Sequence, residues 1–235
     1  MSNSDSSGFP YAALSVRGPD AFGFLQGQLS NDLRRLDGEA QLFSAWCNPK
    51  GRVICLLRVR RSDAGYTLML PADLAQTVIS RMALFRFRAK VEFTANAGSK
   101  EMLGIDESQS IESWLHEQLL GGVPEIWFAQ SEVYTPHMLN LDRLDAISLD
   151  KGCYTGQEIV ARTHYRGSSK RRMLRFSSSA AVTAGADVYA GAQKIGAVVT
   201  AIDKDLLAVI PRDRASDELS VAGATLQPQP LPYTL

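Results

Sequence analysis

The residues with the most chemical potential stand in one run, Lys151-Gly152-Cys153-Tyr154-Thr155-Gly156-Gln157-Glu158-Ile159-Val160-Ala161-Arg162. Gly152 and Gly156 permit a sharp turn and a close approach of a ligand to backbone, and the residues after them suit the opening of a helix whose free N–H groups favour an anion. Cys153 precedes that positive end, with Lys151 two residues away, a setting that favours the thiolate, the nucleophilic and metal-binding form. For a cysteine considered alone the alternative is a buried, inert thiol. Downstream, Lys151, Arg162, Arg166, Lys170, Arg171, Arg172 and Arg175 stand against Glu158 alone. Such a local excess points to an anionic ligand or to a solvated basic face.

The excess is local because Lys+Arg and Asp+Glu both total 25 over 235 residues. No global field gathers nucleic acid or membrane lipid. Cys47, Cys55 and Cys153 are an odd number, without a CxxC pair or a histidine at zinc-ligand spacing, so neither a disulfide framework nor a single-chain metal site is expected. His116, His137 and His164 are too scattered to suggest a triad. The start, MSNSDSSGFP, has no basic and apolar leader, and no stretch reaches the roughly 18 apolar residues that span a bilayer. The expectation is a cytoplasmic protein without a membrane partner.

The elements that must position the motif come from hydrophobic period. Tyr11 to Val16 reads as a strand, and Gly18-Pro19-Asp20 turns into a helix carrying Phe22, Phe24 and Leu25. Leu42–Cys47 and Val53–Val59 flank Asn48-Pro49-Lys50-Gly51 as a hairpin. Tyr66–Leu70 is a further strand, followed by a helix with Leu74, Val78, Met82 and Phe85 on one stripe, and Arg88–Thr94 returns as a strand. Ser110–Leu120 is a helix with Ile111, Trp114, Leu115 and Leu119 on one face, closed by Gly121-Gly122. From Lys170 onward short strands at Arg172–Phe176, Ala186–Tyr189, Lys194–Ile202 and Leu206–Ile210 predict a small β-barrel. The class is α+β. The expected organisation is a mobile start over 1–10, an α+β region over 11–169 that carries the motif, and a barrel over 170–235.

KGCYTGQE followed by Ile159-Val160-Ala161-Arg162 resembles the signature of the YgfZ family, a branch related to the glycine-cleavage T-protein. The resemblance extends to Phe24-Leu25-Gln26-Gly27-Gln28-Leu29-Ser30-Asn31-Asp32, to Pro49-Lys50-Gly51-Arg52, to Pro136 with Asn140-Leu141, and to Pro230-Leu231-Pro232-Tyr233. It implies a clover-like, three-lobed fold with a C-terminal β-barrel and a central cavity for tetrahydrofolate or a derivative. It also implies an accessory role in maturing or repairing iron-sulfur proteins and in tRNA modification. Cys153 takes the place of the family's working thiol within the motif residues Lys151, Gly152, Gly156, Gln157, Glu158 and Arg162. Trp114, Tyr11 and Tyr154 are the implied folate contacts, while Trp46 and Trp127 are read as structural. Arg166, Lys170 and Arg171 are candidate anion ligands, for a folate tail or for tRNA itself.

Two departures shape these expectations. The stretch between Val91 and Trp114 is shorter than in longer family members, which predicts a reduced middle lobe and a more open folate cavity. T-proteins carry an acid in the strand after the hairpin turn, whereas Val53-Ile54-Cys55-Leu56-Leu57 has no carboxylate. A folate-dependent one-carbon transferase therefore lacks its proton-handling group at that place. That enzyme and a direct tRNA binder are the alternatives to an accessory protein whose partners are iron-sulfur proteins or their assembly factors.

Overall fold

The structure, a computed structural model, describes residues 8–165 and 169–235. Arg166 lies outside the described residues, as do residues 1–7 of the expected mobile start. The N-terminal half is built on a five-stranded antiparallel sheet in the order β2-β3-β4-β1-β5. Its strands are β1 (Tyr11–Arg17), β2 (Leu42–Cys47), β3 (Val53–Ser62), β4 (Gly65–Pro71) and β5 (Glu92–Ala97), with α1 (Ala21–Gln26) and α2 (Ala75–Leu84) packed on one face. Period-2 alternation decides which side chains go where. Leu14 opposite Leu68 faces the helices and joins Leu25, Val78 and Met82. Ala13 opposite Met69 faces the other way, toward Trp114. Each fully buried aliphatic of this kind contributes about 1.5–3 kcal/mol.

The strand expected over Arg88–Thr94 is displaced to Glu92–Ala97. After α2 the backbone turns, with Phe85 N bonded to Met82 O and Ala89 N to Arg86 O, and Phe87 takes a positive φ of 43°. Extended pairing begins only at Glu92, opposite Arg17 at the end of β1. Partner availability, which local pattern does not reveal, sets this boundary.

A short helix not expected from the pattern, α3 (Lys100–Leu103), is capped by Ser99 and buries Leu103. Next come α4 (Ile111–Leu120), capped by Ser110, and a long irregular connection that leads to α5 (Gln157–Tyr165). The connection is irregular but not peripheral, since Ile126, Leu139, Leu141 and Ala146 are fully buried. They fill the space between the outer face of the β2–β3 hairpin and the barrel residues Met173, Val199, Leu207 and Val209.

The closed barrel runs β10-β11-β6-β9-β8-β7. Its strands are β6 (Arg171–Ser178), β7 (Asp187–Ala190), β8 (Gln193–Ile202), β9 (Asp205–Pro211), β10 (Leu219–Val221) and β11 (Ala224–Gln229). The last two were not expected, because β10 is three residues long and Pro228 interrupts the pattern of β11. Closure pairs every strand, Pro228 lying opposite Phe176 on β6. Among the described residues no helix is long and apolar enough to cross a membrane.

Asn140 joins the connection to the barrel. It is fully buried in a left-handed conformation (φ 57°), and its Nδ2 donates to Met173 O (2.7 Å) and Tyr233 Oη (3.3 Å). Tyr233 in turn donates to Gly122 O just beyond α4 (2.8 Å). Asn140→Ala leaves a buried carbonyl unpaired and places a Cβ-bearing residue without Asn's tolerance in left-handed space. We expect it to cost about 2–4 kcal/mol in urea unfolding, whereas Tyr233→Phe, which removes the two bonds of one partly buried hydroxyl, costs about 1–2 kcal/mol.

Candidate functional site

The motif loop 151–156 is assembled against two distant segments. Lys151 is only 4% exposed. Its Nζ donates to Gln26 O (2.7 Å), Leu29 O (2.6 Å) and Asn31 O (3.0 Å). Burial pushes the ammonium down to about 8, with Asp32 opposing the shift, yet three carbonyl acceptors employ all three protons of the charged form. The amine therefore turns inward, and its three donors hold residues 26–31.

Those residues are themselves fixed. Ser30 Oγ donates to Ala146 O (2.7 Å) and accepts from Ala45 N (2.8 Å), and Asn31 Nδ2 donates to Phe43 O (2.9 Å) and Asp145 O (2.7 Å). Gln28 Oε1 accepts from Trp46 Nε1 and from Thr155 Oγ1, each at 3.2 Å, so the hairpin and the motif share one amide. Trp46 is fully buried and structural, as read from sequence.

At the other end of the loop Gly156 has φ +83°, and a Cβ there would lie 2.5 Å from Asn48 O in the hairpin turn. Only glycine permits this approach. The turn is rigid because Asn48 Oδ1 accepts from Lys50 N (2.9 Å) and Arg52 N (3.0 Å), while its Nδ2 donates to Glu132 (2.5 Å). Gly152, by contrast, has open space around it. Gln157 heads α5, and its Oε1 accepts from Tyr154 N (3.3 Å). Glu158 is exposed in the first turn of α5, suited to the helix dipole, and Arg162 is exposed near its end.

This framework displays one thiol. Cys153 is exposed, whereas Cys47 and Cys55 are buried, and burial pushes the Cys47 thiol up to about 12 and Cys55 higher. Among the described residues no three His, Cys, Asp or Glu stand close enough to hold a metal ion. Histidines that look scattered in sequence do meet, however. His137 and His164 have ring centroids 6.1 Å apart, beside the Arg172–Asp142 ion pair (2.5 Å).

Structure buries or tethers much of the basic excess. Lys151 and Arg172 are buried, and Arg171 and Arg175 donate to the backbone carbonyls of Ile195 and Leu120. Of the described residues in that run, Arg162 and Lys170 remain exposed.

The aromatic residues form two separate groups. Tyr154 packs beside Lys151, whose Nζ lies 5.1 Å from the ring centroid. Tyr11 and Trp114 meet edge to face at 5.8 Å, with Trp127 also 5.8 Å from Tyr11. Against both rings sits a charged pair that the sequence did not reveal. The Arg58 guanidinium lies 4.6 Å from the Trp114 ring and donates to Glu125 (2.6 Å), both side chains being at most 5% exposed. Tyr11 is fully buried and Trp114 is 7% exposed. The guanidinium also lies 5.8 Å from the Tyr11 ring, so it packs against both aromatic residues. The adjoining cavity, lined by Phe43, Arg58 and Gln118, measures about 200 Å³.

Comparison with known proteins agrees with this assembly. Residues 170–233 match the family described as CAF17, C-terminal beta-barrel domain. An uncharacterized protein of Haemophilus influenzae is 31% identical over 197 residues, covering 71% of this chain and 70% of that one. The tRNA-modifying protein YgfZ of Klebsiella pneumoniae is 26% identical over 298 residues, covering 96% and 91%. The chain belongs to the YgfZ family. The namesake of Escherichia coli O45:K1 is likewise 26% identical, over 300 residues. Both alignments are longer than this chain of 235 residues, so this YgfZ member lacks segments that those relatives carry. The crystal structure of aminomethyltransferase T of the glycine cleavage system from Bartonella henselae superposes with a TM-score of 0.66 at 14% identity, covering 94% of this chain and 83% of that one. The fold is thus T-protein-like.

Lys151→Met is expected to strand three backbone carbonyls and to cost about 3–5 kcal/mol in urea unfolding. Hydrogen exchange should accelerate first in residues 26–31 and 151–156. Protection unchanged in both segments would show that the ammonium does not hold them.

Proposed function

We propose that this YgfZ family member is an accessory protein of tRNA modification that presents the Cys153 thiol to an iron-sulfur protein during its maturation or repair. One observation carries the reading: of three cysteines, the one in the motif is exposed, on a loop anchored by Lys151 and Gly156. The names of the Klebsiella and Escherichia relatives supply the tRNA-modifying context. A cluster normally takes four protein ligands, so a single thiol acts jointly with groups of the client or of an assembly factor. Aminomethyl transfer, the activity for which the Bartonella protein is named, gains no support. The stretch Val53–Leu57 has no carboxylate, and Glu125 is engaged by Arg58.

Tetrahydrofolate, the cofactor implied by the resemblance, does not fit the residues as they stand. A pterin stacked on Trp114 would meet the Arg58 guanidinium, which lies 4.6 Å from that ring and is held by Glu125. Tyr154 packs instead beside Lys151 in the motif loop. No step of the proposed role runs through folate. Tetrahydrofolate titrated anaerobically into the wild type is expected to give no saturable heat, and a saturable signal that Trp114→Ala abolishes would show that the cage opens.

The role of the thiol is tested in a host deleted for its own family member, by quantifying thiolated nucleosides in digested tRNA. Wild type should restore them, and Cys153→Ala, with an unchanged melting curve, should leave them at the level of the deletion. Full restoration by Cys153→Ala would remove the thiol from the mechanism.

A further inference from the structure

A cleft of about 490 Å³ lies between the hairpin turn, the segment around Tyr134 and the outer wall of the barrel, and it shares no lining residue with the motif loop. Its volume falls within the range of ligand sites. The floor is apolar, with Tyr134, Ile195 and Val209 all nearly buried, and Met138 beside them. The rim is cationic and carries Arg52, Arg171 and Lys194.

The two arginines are held in place without being neutralised. Arg52 donates from Nη1 to Val133 O, and Arg171 donates from Nη2 to Ile195 O. Among the described residues neither has a carboxylate partner, whereas Lys194 is paired with Asp187 at 2.7 Å. A guanidinium has five N–H donors, so one carbonyl tether fixes each fork and leaves donors free. Tethering lowers the entropy lost when an anion is clamped. With Lys194 offset by Asp187, the rim presents two uncompensated positive charges. A carboxylate supplies one negative charge, while a phosphomonoester supplies about 1.5–2, and the planar fork matches its oxygens in bidentate fashion.

We propose that this cleft binds a 5′-phosphorylated nucleotide, the phosphate between Arg52 and Arg171 and the base on the floor beside Tyr134 and Met138. The nucleotide is either free or the 5′ end of an RNA strand, since both offer the same chemistry. The site operates independently of Cys153 and of the accessory role.

The test is an equilibrium titration of the full chain with AMP, adenosine, and a short oligoribonucleotide bearing either a 5′-phosphate or a 5′-hydroxyl. AMP should bind saturably and adenosine at least tenfold more weakly. Arg52→Gln and Arg171→Gln should each weaken AMP about tenfold, and Arg52→Gln, which alters an exposed turn, gives a folded readout even if Arg171→Gln perturbs the barrel. A clear preference for the 5′-phosphorylated oligoribonucleotide over both its 5′-hydroxyl form and AMP identifies an RNA end as the source. AMP at least as tight as the phosphorylated strand identifies a free nucleotide. Equal binding of AMP and adenosine, no binding of any phosphorylated probe, or wild-type affinity in both folded variants overturns the proposal.

Discussion

A buried ammonium is tolerable only when every proton has an acceptor, and Lys151 meets that condition by drawing on the carbonyls of Gln26, Leu29 and Asn31. The consequence is mutual. Residues 26–31 bend around the amine because their carbonyls converge on it, and the loop that ends in Cys153 starts from a fixed point. Removing the amine would orphan three acceptors at once, which is why the constraint governs both segments. The side chains of Ser30 and Asn31 extend it to the hairpin and to the long connection.

A second constraint is backbone proximity. The approach of Gly156 to the Asn48 carbonyl seats α5 against the hairpin turn without an intervening side chain. The same turn directs Arg52 away from the motif, toward the barrel wall. The β2–β3 hairpin is therefore the common reference for the thiol loop on one side and the cationic cleft on the other. Neither requires movement of the barrel, whose interior is packed by Phe176, Val198, Leu206 and Ile210.

Much of this architecture was legible in sequence wherever one element decided its own form. The stripes of Leu74, Val78 and Met82 and of Ile111, Trp114, Leu115 and Leu119 specified helices through local spacing, and the hairpin followed from its turn residues. Legibility failed where the partner is remote. Glu92 starts a strand because Arg17 lies opposite, and β10 is too short to show a period at all. The site divides in the same way. The motif and its thiol were visible as a contiguous run, but the three acceptors of Lys151 lie more than a hundred residues upstream, and Glu125 reaches Arg58 across 67 positions. A basic cluster read as a ligand site turned out to include ammonium and guanidinium groups occupied with carbonyls. Charge counted along a chain says nothing about how much of it remains free after folding.

The bond from Tyr233 to the carbonyl of Gly122, with Asn140 beside it, has a meaning in time as well as in space. Among the described residues Tyr233 follows every helix and strand in chain order, so this clasp between α4 and the connection closes only after those elements have been synthesised. During translation the nascent sheet can pack its helices early, as domains tend to fold from the N-terminal side, while the joint between its lobes stays unlatched. A chain broken before Tyr233 would possess the motif and its thiol yet lack the latch. Its joint would then join the openings through which proteases reach a folded chain.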